Sequence, residues 1–337
     1  MKLSFAVPVY NVEPYIERCA RSLFGQTLDE VEYVFVDDCS PDRSIELLLT
    51  VLEEYPERKP FVKIIRHEKN QGIALSRKDA YLNTTGDYVI SVDSDDDTEP
   101  QMAELLYNKA VETNADMVVC NGYWHRREGL RILESAPYGE GENGSFIRDA
   151  ILNRKVTPGV WVKLVKRDLI FREDMIWPRG DHGEDVVFSS QFTYNAKKIA
   201  YVDAQLYHYR YNGNSICNLP DPKQRERNAK DEIKNIEDLE RFLKSHGVED
   251  KYWYGVFVNK FYAKMLFLPY VGQRKYRRLW FKTYPELNRV LFWGDERYKS
   301  SYKQKIWMAA IWLGIYPKFK RRLATQRFCP NNRWRQW

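Results

Sequence analysis

Cysteine is scarce in this sequence of 337 residues, and the cysteines present show no pairing pattern. No Cys-x-x-Cys spacing occurs among the five, which are Cys19, Cys39, Cys120, Cys217 and Cys329. Disulfide-dependent domains are dense in cysteine, whereas scattered cysteines are typical of proteins in reducing compartments. We therefore expect free thiols and a cytoplasmic location rather than a disulfide framework.

Long hydrophobic runs are also lacking. The longest, at residues 306–316, has 11 residues. As a helix it would reach only about 16 Å, which is too short to cross a bilayer. It is expected either to lie on a membrane surface or to belong to a core. The opening residues, MKLSFAVPVY, hold a short apolar run that predicts a first strand and not a signal peptide.

Acidic residues are few towards the C-terminus. Residues 273–337 contain three acidic residues against 17 lysines and arginines, and six of the ten tryptophans follow Arg278. Residues 1–272 have more acidic than basic residues, although the whole chain has a net charge of +6. Basic residues with tryptophan are typical of surfaces that contact membranes. The same residue types also suit nucleic acid, so both partners remain open at this point.

The overall composition, with 44% apolar and 30% charged residues, is that of a folded globular protein. Apolar runs at LSFAVPVY, EYVFVDD, VKIIRH and YVISVD predict buried strands, and the segments between them carry apolar residues at helical spacing. This alternation predicts an α/β fold with a mostly parallel sheet flanked by helices. Beyond Cys217 the alternation stops, and the pattern predicts a basic, aromatic-rich helical region.

Four polar segments directly follow the predicted strands, at residues 8–11, 36–42, 67–72 and 92–97. Ligands of open parallel sheets bind beyond the carboxyl ends of the strands, so the four segments predict one binding rim. Each segment alone is also explained by ordinary turn chemistry. Ser40 or Asp42, for example, could serve only as a helix cap.

Four of the five residues from 93 to 97 are aspartates. Their mutual repulsion requires a cation or hydrogen-bond donors to offset it. In an extended segment Asp93 and Asp95 point to the same side, with Ser94 opposite. Two such carboxylates predict a site for Mg²⁺ or Mn²⁺ bound together with phosphate oxygens. Asp96 and Asp97 are expected to lie behind these ligands or in solvent.

A calcium-binding EF-hand loop is a competing interpretation of the same segment. Asp93, Asp95, Asp97 and Glu104 fall at the first, third, fifth and twelfth positions of such a loop. The sixth position is Thr98 instead of glycine, Pro100 interrupts the loop, and a strand precedes it. These three features disfavour calcium.

A second pair of carboxylates, Glu184 and Asp185, follows a glycine-containing loop in WPRGDHGEDVVF and opens an amphipathic segment. Acidic residues are favourable at a helix N-terminus, so capping alone would explain the pair. Alternatively, a carboxylate that is ionised at neutral pH can serve as a general base towards a hydroxyl group. The sequence pattern leaves both interpretations open.

Taken in order, these motifs resemble those of family 2 of the glycosyltransferases, inverting enzymes with the GT-A (Rossmann-like) fold. The resemblance rests on SFAVPVYNVEPYIERCARSLFGQTL, YVFVDDCSPDRS, NQGIALSRKDAYLNTTGDYVISVDSDDDTEP and GEDVVF, and it covers residues 1–216. It implies a transferase domain at 1–216, followed by a helical region at 217–337. It also implies a bacterial enzyme of the surface-polysaccharide type.

The resemblance implies roles for individual residues. A carboxylate at Asp38 would accept a hydrogen bond from the uracil of a UDP-sugar, because the uracil ring nitrogen is a donor there. The implied donor contacts are Pro8, Val9, Tyr10, Glu13, Asp38, Arg77, Asp93 and Ser94. The implied metal ligands are Asp95, Asp93 and, as in some relatives, His208. The implied catalytic residues are Asp185 as base and Glu184 beside it.

The implied reaction is hexosyl transfer with inversion. A hydroxyl of a glycan or lipid-linked acceptor, deprotonated by Asp185, would displace UDP in one step, with Mn²⁺ or Mg²⁺ stabilising the diphosphate. A nucleotidyltransferase is disfavoured because the first strand leads into PVYN and not into a glycine-rich, arginine-containing loop. A nucleotide-binding protein without transferase activity is disfavoured because Asp185 is present.

Two further expectations concern the acceptor. Trp161 and Lys163, in VWVKLVKRDLI, resemble the acceptor side of the family, where they would stack on a sugar and meet a phosphate or carboxylate. Both could equally belong to core and surface. A lipid-linked acceptor gives the basic C-terminal region a reason to contact a membrane, so nucleic acid is ranked below it. The protein is expected on the inner face of the plasma membrane as a peripheral protein.

Overall fold

The computed structural model of the chain describes residues 1–126, 129–135, 144–213, 215, 221–314 and 316. Its strands are β1 Leu3–Val9, β2 Val31–Asp37, β3 Val62–Arg66, β4 Tyr88–Ser91, β5 Asp97–Thr98, β6 Met117–Arg126, β7 Gly129–Leu133, β8 Lys163–Lys166 and β9 Ile199–Tyr209. Its helices are α1 Ile16–Phe24, α2 Ser44–Leu52, α3 Ile73–Leu82, α4 Met102–Thr113, α5 Ser145–Leu152, α6 Glu184–Asn195, α7 Pro222–Ser245, α8 Trp253–Met265, α9 Arg274–Lys282, α10 Pro285–Trp293 and α11 Tyr302–Trp312. The boundary predicted after residue 216 lies outside the described residues.

The strands of the described residues form one sheet in the order β3-β2-β1-β4-β8-β6-β9-β5, with β7 paired to β6. Strands β3, β2, β1 and β4 are parallel. Strand β8 is antiparallel to both β4 and β6, whereas β6 runs parallel to β9. The predicted α/β sheet flanked by helices is confirmed, and its parallel pairing is concentrated in the first four strands.

Helices cover both faces of the sheet because their apolar stripes pack on buried strands. In α1 the buried residues Ile16, Cys19, Ala20 and Leu23 recur at helical spacing. Helices α1, α2 and α4 share a core with one face of the sheet, and α3, α5 and α6 share a core with the other. The first four strands therefore lie at the centre of a three-layer arrangement.

The C-terminal helices form cores of their own. Residues of α8 to α11 pack around Trp280, whose side chain is completely buried. The middle of α7 packs against Val186 of α6. It also packs against Tyr252, which directly precedes α8, and against Val256 in the first turn of α8. The predicted helical C-terminal region is therefore confirmed.

The apolar run at 306–316 is divided between core and surface. Met308 and Ile311 of α11 are buried, whereas Ile306 and Trp312 are exposed. Ile315 lies outside the described residues. Within the described part of the chain, every helix is too short or too polar to traverse a lipid bilayer.

Candidate active site

The carboxyl ends of β1 to β4 meet at one edge of the sheet, as their parallel pairing requires. Hydrogen bonds join the loops that follow these strands. The Asn11 N–H donates to Ser40 Oγ at 2.8 Å, and the Glu13 N–H donates to Asp42 Oδ2 at 2.9 Å. Asp42 also accepts the N–H of Ser44 at the start of α2. Asp42 therefore joins two loops at the start of α2. The expected meeting of these loops at one edge is observed, whereas ligand binding there stays a prediction.

Asp38, the predicted uracil contact, is 2% exposed and holds the loop after β3. Its Oδ1 lies 2.7 Å from His67 Nδ1 and accepts the Gln71 N–H at 2.8 Å. Its Oδ2 accepts the Gly72 N–H at 2.8 Å. These three contacts leave one of the roughly four acceptor sites of the carboxylate, on Oδ2, without a partner among them. The predicted contact stays a prediction.

The other residues near β1 that are predicted to contact the UDP-sugar differ in how exposed they are. Pro8 and Val9 are buried within β1, whereas Tyr10 at its end is 45% exposed. Glu13 is half-buried, and its Oε2 accepts the Arg43 N–H at 3.1 Å. Tyr10 and Glu13 are therefore the members of this group that a ligand can reach without rearrangement.

Arg77 is buried at the centre of an ion-pair network. Its Nη2 donates to Asp93 Oδ1 at 2.8 Å and to Glu184 Oε1 at 3.1 Å, and its Nη1 donates to Ser91 Oγ. Charge-assisted hydrogen bonds of this kind are strong when they are removed from water. Arg77 therefore joins the end of β4 to the start of α6. It is 2% exposed, and its predicted contact with the nucleotide stays a prediction.

Glu184 lies beside Arg77 and is 7% exposed. Burial raises the pKa of Glu184 to about 8; Arg77 opposes the shift, and the charges of Asp185 and Asp93 add to it. The Glu184 carboxyl group is also occupied by Arg77, so it is less available than an unpaired carboxylate to accept a proton.

Asp185 differs from its neighbour in having no hydrogen-bond or ion-pair partner among the described residues. It is half-buried in the first turn of α6, after Gly183 in the left-handed conformation. Across the described residues, no side chain forms a hydrogen bond or an ion pair with its carboxylate. Of the two predicted catalytic residues, Asp185 is thus the one that is free to accept a proton.

Lys163 lies beneath this part of the site. It is 1% exposed, and its Nζ donates to the carbonyls of Gly159 at 2.5 Å and Thr157 at 3.4 Å. Burial lowers the pKa of Lys163 to about 7, and the negative charge of Asp185 opposes the shift. Trp161 is also buried and stacks on Tyr207 with 4.5 Å between ring centroids. The structure therefore supports the core interpretation of Trp161 and Lys163.

Asp93 and Asp95 fit a divalent cation. Burial, followed by the charge of Asp93, raises the pKa of Asp95 to about 6, and Asn212 Nδ2 donates to Asp95 Oδ2 at 2.9 Å. Asp93 is paired with Arg77, whereas no described cationic side chain forms an ion pair with the Asp95 carboxylate. A hard cation would offset the repulsion between the two aspartates.

The remaining ligands would have to come from elsewhere. Over the described ranges, no three His, Cys, Asp or Glu side chains converge as a metal-binding group. Mg²⁺ and similar ions commonly keep waters or phosphate oxygens among their ligands, so two carboxylates suffice for binding with a nucleotide diphosphate. A bound metal ion therefore stays a prediction, and the carboxylates of Asp93 and Asp95 are compatible with it.

Asp96 and Asp97 are both structural. Asp96 is 1% exposed and accepts the Tyr207 O–H and the Arg210 N–H, each at 2.7 Å. Asp97 accepts two hydrogen bonds from the Arg210 guanidinium, at 2.6 and 2.8 Å, and forms an ion pair with Arg18 at 2.8 Å. The expectation that Asp97 lies in solvent was therefore wrong, because two arginines compensate its charge inside the protein.

The calcium-loop interpretation fails on the same geometry. Its third carboxylate, Asp97, faces Arg210, and its twelfth-position ligand, Glu104, accepts a hydrogen bond from Thr27 Oγ1 at 2.6 Å. Asp93 is held by Arg77. The four side chains therefore serve different partners and do not surround one ion.

His208, the predicted third metal ligand, has both ring nitrogens in contact with protein groups. Its Nε2 lies 2.8 Å from Glu99 Oε1, and its Nδ1 lies 2.9 Å from His125 Nε2. Arg210 Nη1 lies 3.1 Å from His125 Nδ1 and can only donate, so His125 donates to His208 and His208 donates to Glu99. Metal ligation by His208, which stays a prediction, would require its ring to leave these partners.

The sequence interpretation missed Asn212, which contacts Asp95, and Tyr207, which supports both Asp93 and Asp96. Both belong to the segment around His208, but neither residue type is diagnostic of metal or phosphate binding. Their proximity to the aspartates arises from the pairing of β9 with β5, which the local sequence does not show.

Comparison of the sequence with known proteins finds a family match. Residues 4–169 match the family described as "Glycosyl transferase family 2". The uncharacterized glycosyltransferase YibD of Escherichia coli K12 is 31% identical over 224 residues, which are 65% of this chain and 64% of YibD. The putative glycosyltransferase EpsH of Bacillus subtilis 168 is 33% identical over 220 residues, 64% of this chain and 62% of EpsH. The match thus spans a little less than two thirds of these relatives.

The fold also resembles that of solved structures. Residues 1–349 of TarS from S. aureus, crystallised with UDP-GlcNAc, superpose with a TM-score of 0.63 at 20% identity, covering 95% of this chain and 92% of that one. At this identity the likeness concerns the fold, and it confirms the predicted GT-A architecture. Residues 4–169, which carry the rim and both aspartates of the Asp-x-Asp motif, form a domain of glycosyl transferase family 2.

Proposed function

We propose that this protein is an inverting glycosyltransferase that moves a sugar from a UDP-sugar to a hydroxyl group of a glycan or lipid-linked acceptor. The observation that carries the proposal is the contrast between the two carboxyl groups at the start of α6. Asp185 is half-buried and has no partner among the described residues, whereas Glu184 is buried against Arg77. Such an arrangement supplies one ionised carboxylate for proton transfer.

The proposed step is a single displacement. The acceptor oxygen gives its proton to Asp185 and forms a bond to the anomeric carbon, while the bond from that carbon to the diphosphate oxygen breaks. The diphosphate leaves with the bonding electrons, so the sugar inverts and no covalent enzyme intermediate forms. General base catalysis of this kind contributes typically about 10²- to 10⁴-fold in rate.

The leaving group is proposed to lie at Asp93 and Asp95. These carboxylates would hold Mn²⁺ or Mg²⁺, which when bound supplies positive charge next to the diphosphate. Arg77 and Asn212 keep the two aspartates in place from inside the protein. The choice of uridine nucleotide is supported by the likeness to TarS, which was crystallised with UDP-GlcNAc.

A panel of UDP-sugars, assayed for UDP release with and without added glycan or lipid-linked acceptors, tests the proposal. We expect release from at least one donor. Asp185→Asn should bind UDP as the wild type does and lose about 10²-fold or more of the transfer rate, because the amide cannot accept the proton. Asp168→Asn, which alters an exposed carboxylate elsewhere, serves as the control.

Three results would count against the proposal. Undiminished turnover by Asp185→Asn would remove the base role. Binding of uridine nucleotides without release of UDP from any donor would favour a binding protein. Release of pyrophosphate from a nucleoside triphosphate would favour a nucleotidyltransferase.

We also propose that the protein binds a membrane surface through α9 and α11. Five basic side chains line a groove of about 980 Å³ there. One of them, Lys275, is paired with Glu226, and the other four are Arg274, Arg277, Arg278 and Lys282. Among the described residues, none of the four forms an ion pair with an acid. Trp312 lines the same groove and is 70% exposed. Cationic residues beside an exposed tryptophan suit the interface of an anionic bilayer and bring the site near lipid-linked acceptors.

Sedimentation of the full chain with phosphatidylglycerol-containing vesicles tests the membrane proposal. Replacing Arg274, Arg278 and Lys282 together with glutamine should weaken binding at least about tenfold, since each basic residue contributes about 1 kcal/mol near an anionic surface. The matched control replaces three exposed lysines elsewhere, Lys155, Lys197 and Lys198. Equal loss in both variants, or tighter binding to RNA than to vesicles, would overturn the proposal.

A further inference from the structure

The loop that precedes Asp185 lies along helix α7 and is hydrogen-bonded to one residue of it. Asn235 Oδ1 accepts the Gly180 N–H at 2.9 Å. Its Nδ2 donates to the carbonyls of Gly180 and His182, both at 2.9 Å. Asn235 is 2% exposed, so these bonds form away from water. One side-chain amide thus fixes three backbone groups in the five residues before Asp185.

Other residues on the same face of α7 hold the loop on either side of Asn235. Three residues before it, Glu232 lies so close to Gly183 that a β-carbon there would collide with its carboxylate. Three residues after it, Asp238 accepts hydrogen bonds from Arg179 Nε at 2.9 and 3.1 Å. Spacings of three and four residues bring side chains to one helical face. The loop is therefore attached to α7 along two turns.

On its other side the loop contacts the part of the rim that is predicted to bind the UDP-sugar. The Asp181 carboxylate accepts the Ala74 N–H at 3.1 Å, at the start of α3, and lies against Gly72. Gly72 is also held by Asp38, the residue predicted to contact uracil. The loop at 179–183 thus lies between α7 and the segment that leads into α3, with Asp185 directly after it.

We propose that Asn235 is a positioning residue for the proton-accepting carboxylate of Asp185. The inference rests on the proposed function. Asp185 has no hydrogen-bond partner of its own among the described residues, so the backbone before it determines where its carboxylate lies. Asn235 fixes that backbone at both Gly180 and His182, and acts on the reaction only through it. Misplacement of a reacting group by about 1 Å can lower a rate about 100-fold.

The test compares two variants of Asn235 with a control on the same helix. Asn235→Ala removes all three hydrogen bonds, and the isosteric Asn235→Asp replaces the two N–H donors with oxygen while keeping the volume. Phe242→Leu is the control, because Phe242 is fully buried on α7 and packs against Tyr194 and His246 instead of the loop. All are assayed at a temperature well below the unfolding transition of each variant.

For both Asn235 variants we expect kcat to fall about 10- to 100-fold, with the KM for the UDP-sugar and the affinity for UDP within about threefold of wild type. Amide hydrogen exchange at residues 180–186 should accelerate in the same variants. Phe242→Leu should lower the melting temperature and leave kcat unchanged. If Asn235→Ala does not fold, Asn235→Asp alone is compared with the wild type and with Phe242→Leu.

The inference would be overturned by wild-type kcat in a folded Asn235 variant, or by an equal fall of kcat in Phe242→Leu. Unchanged hydrogen exchange at 180–186 would also overturn it, and this measurement does not depend on activity. Failure of the proposed function has a different signature, since the wild-type protein itself would then release no UDP from any donor.

Discussion

At the residue scale, adjacent carboxylates of identical chemistry differ in function because their partners differ. Asp93 is paired with Arg77, Asp97 with Arg210 and Arg18, and Asp96 with a tyrosine hydroxyl and a backbone N–H. At its carboxylate Asp95 receives the neutral Asn212 amide instead of a cationic side chain. Its charge is therefore the one in the cluster that a bound cation would compensate.

Removing Asp95 should thus separate metal binding from nucleotide binding. We expect UDP with Mn²⁺ to raise the melting temperature of the wild type more than UDP alone. In Asp95→Ala the increment due to Mn²⁺ should disappear, whereas the increment due to UDP alone should remain, because the base and ribose contacts are elsewhere. Differential scanning fluorimetry with each ligand combination measures both increments.

The control for this prediction is Asp87→Ala. Asp87 is exposed and precedes the amino end of β4, at the opposite end of the strand from the rim. It should retain both increments. A Mn²⁺ increment that survives in Asp95→Ala would show that the metal binds elsewhere.

At the element scale, the start of α6 depends on a glycine. Gly183 has φ +82°, in the left-handed region that side chains disfavour, and a β-carbon would collide with the Glu232 carboxylate of α7. Left-handed backbone costs a non-glycine residue roughly 1–2 kcal/mol, and the collision adds to this. Helix α6, which carries Asp185, therefore begins directly beside the Glu232 side chain of α7.

We accordingly predict that Gly183→Ala destabilises the protein by about 3 kcal/mol or more, as measured by chemical denaturation. Gly247 provides a matched control, because its φ is +65° but no atom lies within 4 Å of the point that a β-carbon would occupy. Gly247→Ala should cost only the backbone strain, about 1 kcal/mol. Equal losses in the two variants would mean that contact with α7 does not constrain Gly183.

At the scale of the whole molecule, a buried lysine links the C-terminal helices. Lys264 of α8 is 0% exposed, and its Nζ donates to the carbonyls of Trp280 and Thr283, both at 2.6 Å. These carbonyls belong to the last turn of α9 and its end, where a positive side chain is favourable. Burial nevertheless lowers the pKa of Lys264 to about 7, and the charge of Glu286 opposes the shift.

This shift predicts a pH dependence of stability. Between pH 7 and the unfolded pKa of 10.5 the unfolded chain holds the proton and the folded protein does not, so the contribution of Lys264 to stability increases with pH. Relative to Lys264→Met, the wild type should gain up to about 1.4 kcal/mol per pH unit between pH 7.5 and 9. Urea denaturation at several pH values measures the difference.

Other groups titrate in the wild type and in the variant alike, so the difference in stability between the two isolates the contribution of Lys264. Lys244→Met changes an exposed lysine of α7, whose ammonium is in water in both states. Its difference from the wild type should therefore stay constant over the same range. A constant difference for Lys264→Met would mean that the folded protein keeps this lysine charged.

The fold class and the position of the rim follow from the local pattern of the residues. Buried runs alternating with amphipathic helices leave a parallel sheet as the favourable arrangement, and parallel strands bring their following loops to one edge. For this reason the first four strands, the three helices between them and the acidic start of α6 were predictable, whereas β8 and β9 lacked a local signal strong enough to show their pairing.

Which polar side chains are free to react depends on contacts between distant parts of the chain. Arg77 and Asp97 have residue types suited to ligand contact or solvent, yet each is enclosed by partners that other parts of the fold supply. The same is true of Asn235, which the sequence presents as one polar residue in a charged helix. Burial and pairing arise from long-range packing, and they are what distinguishes the free carboxylate of Asp185 from its neighbours.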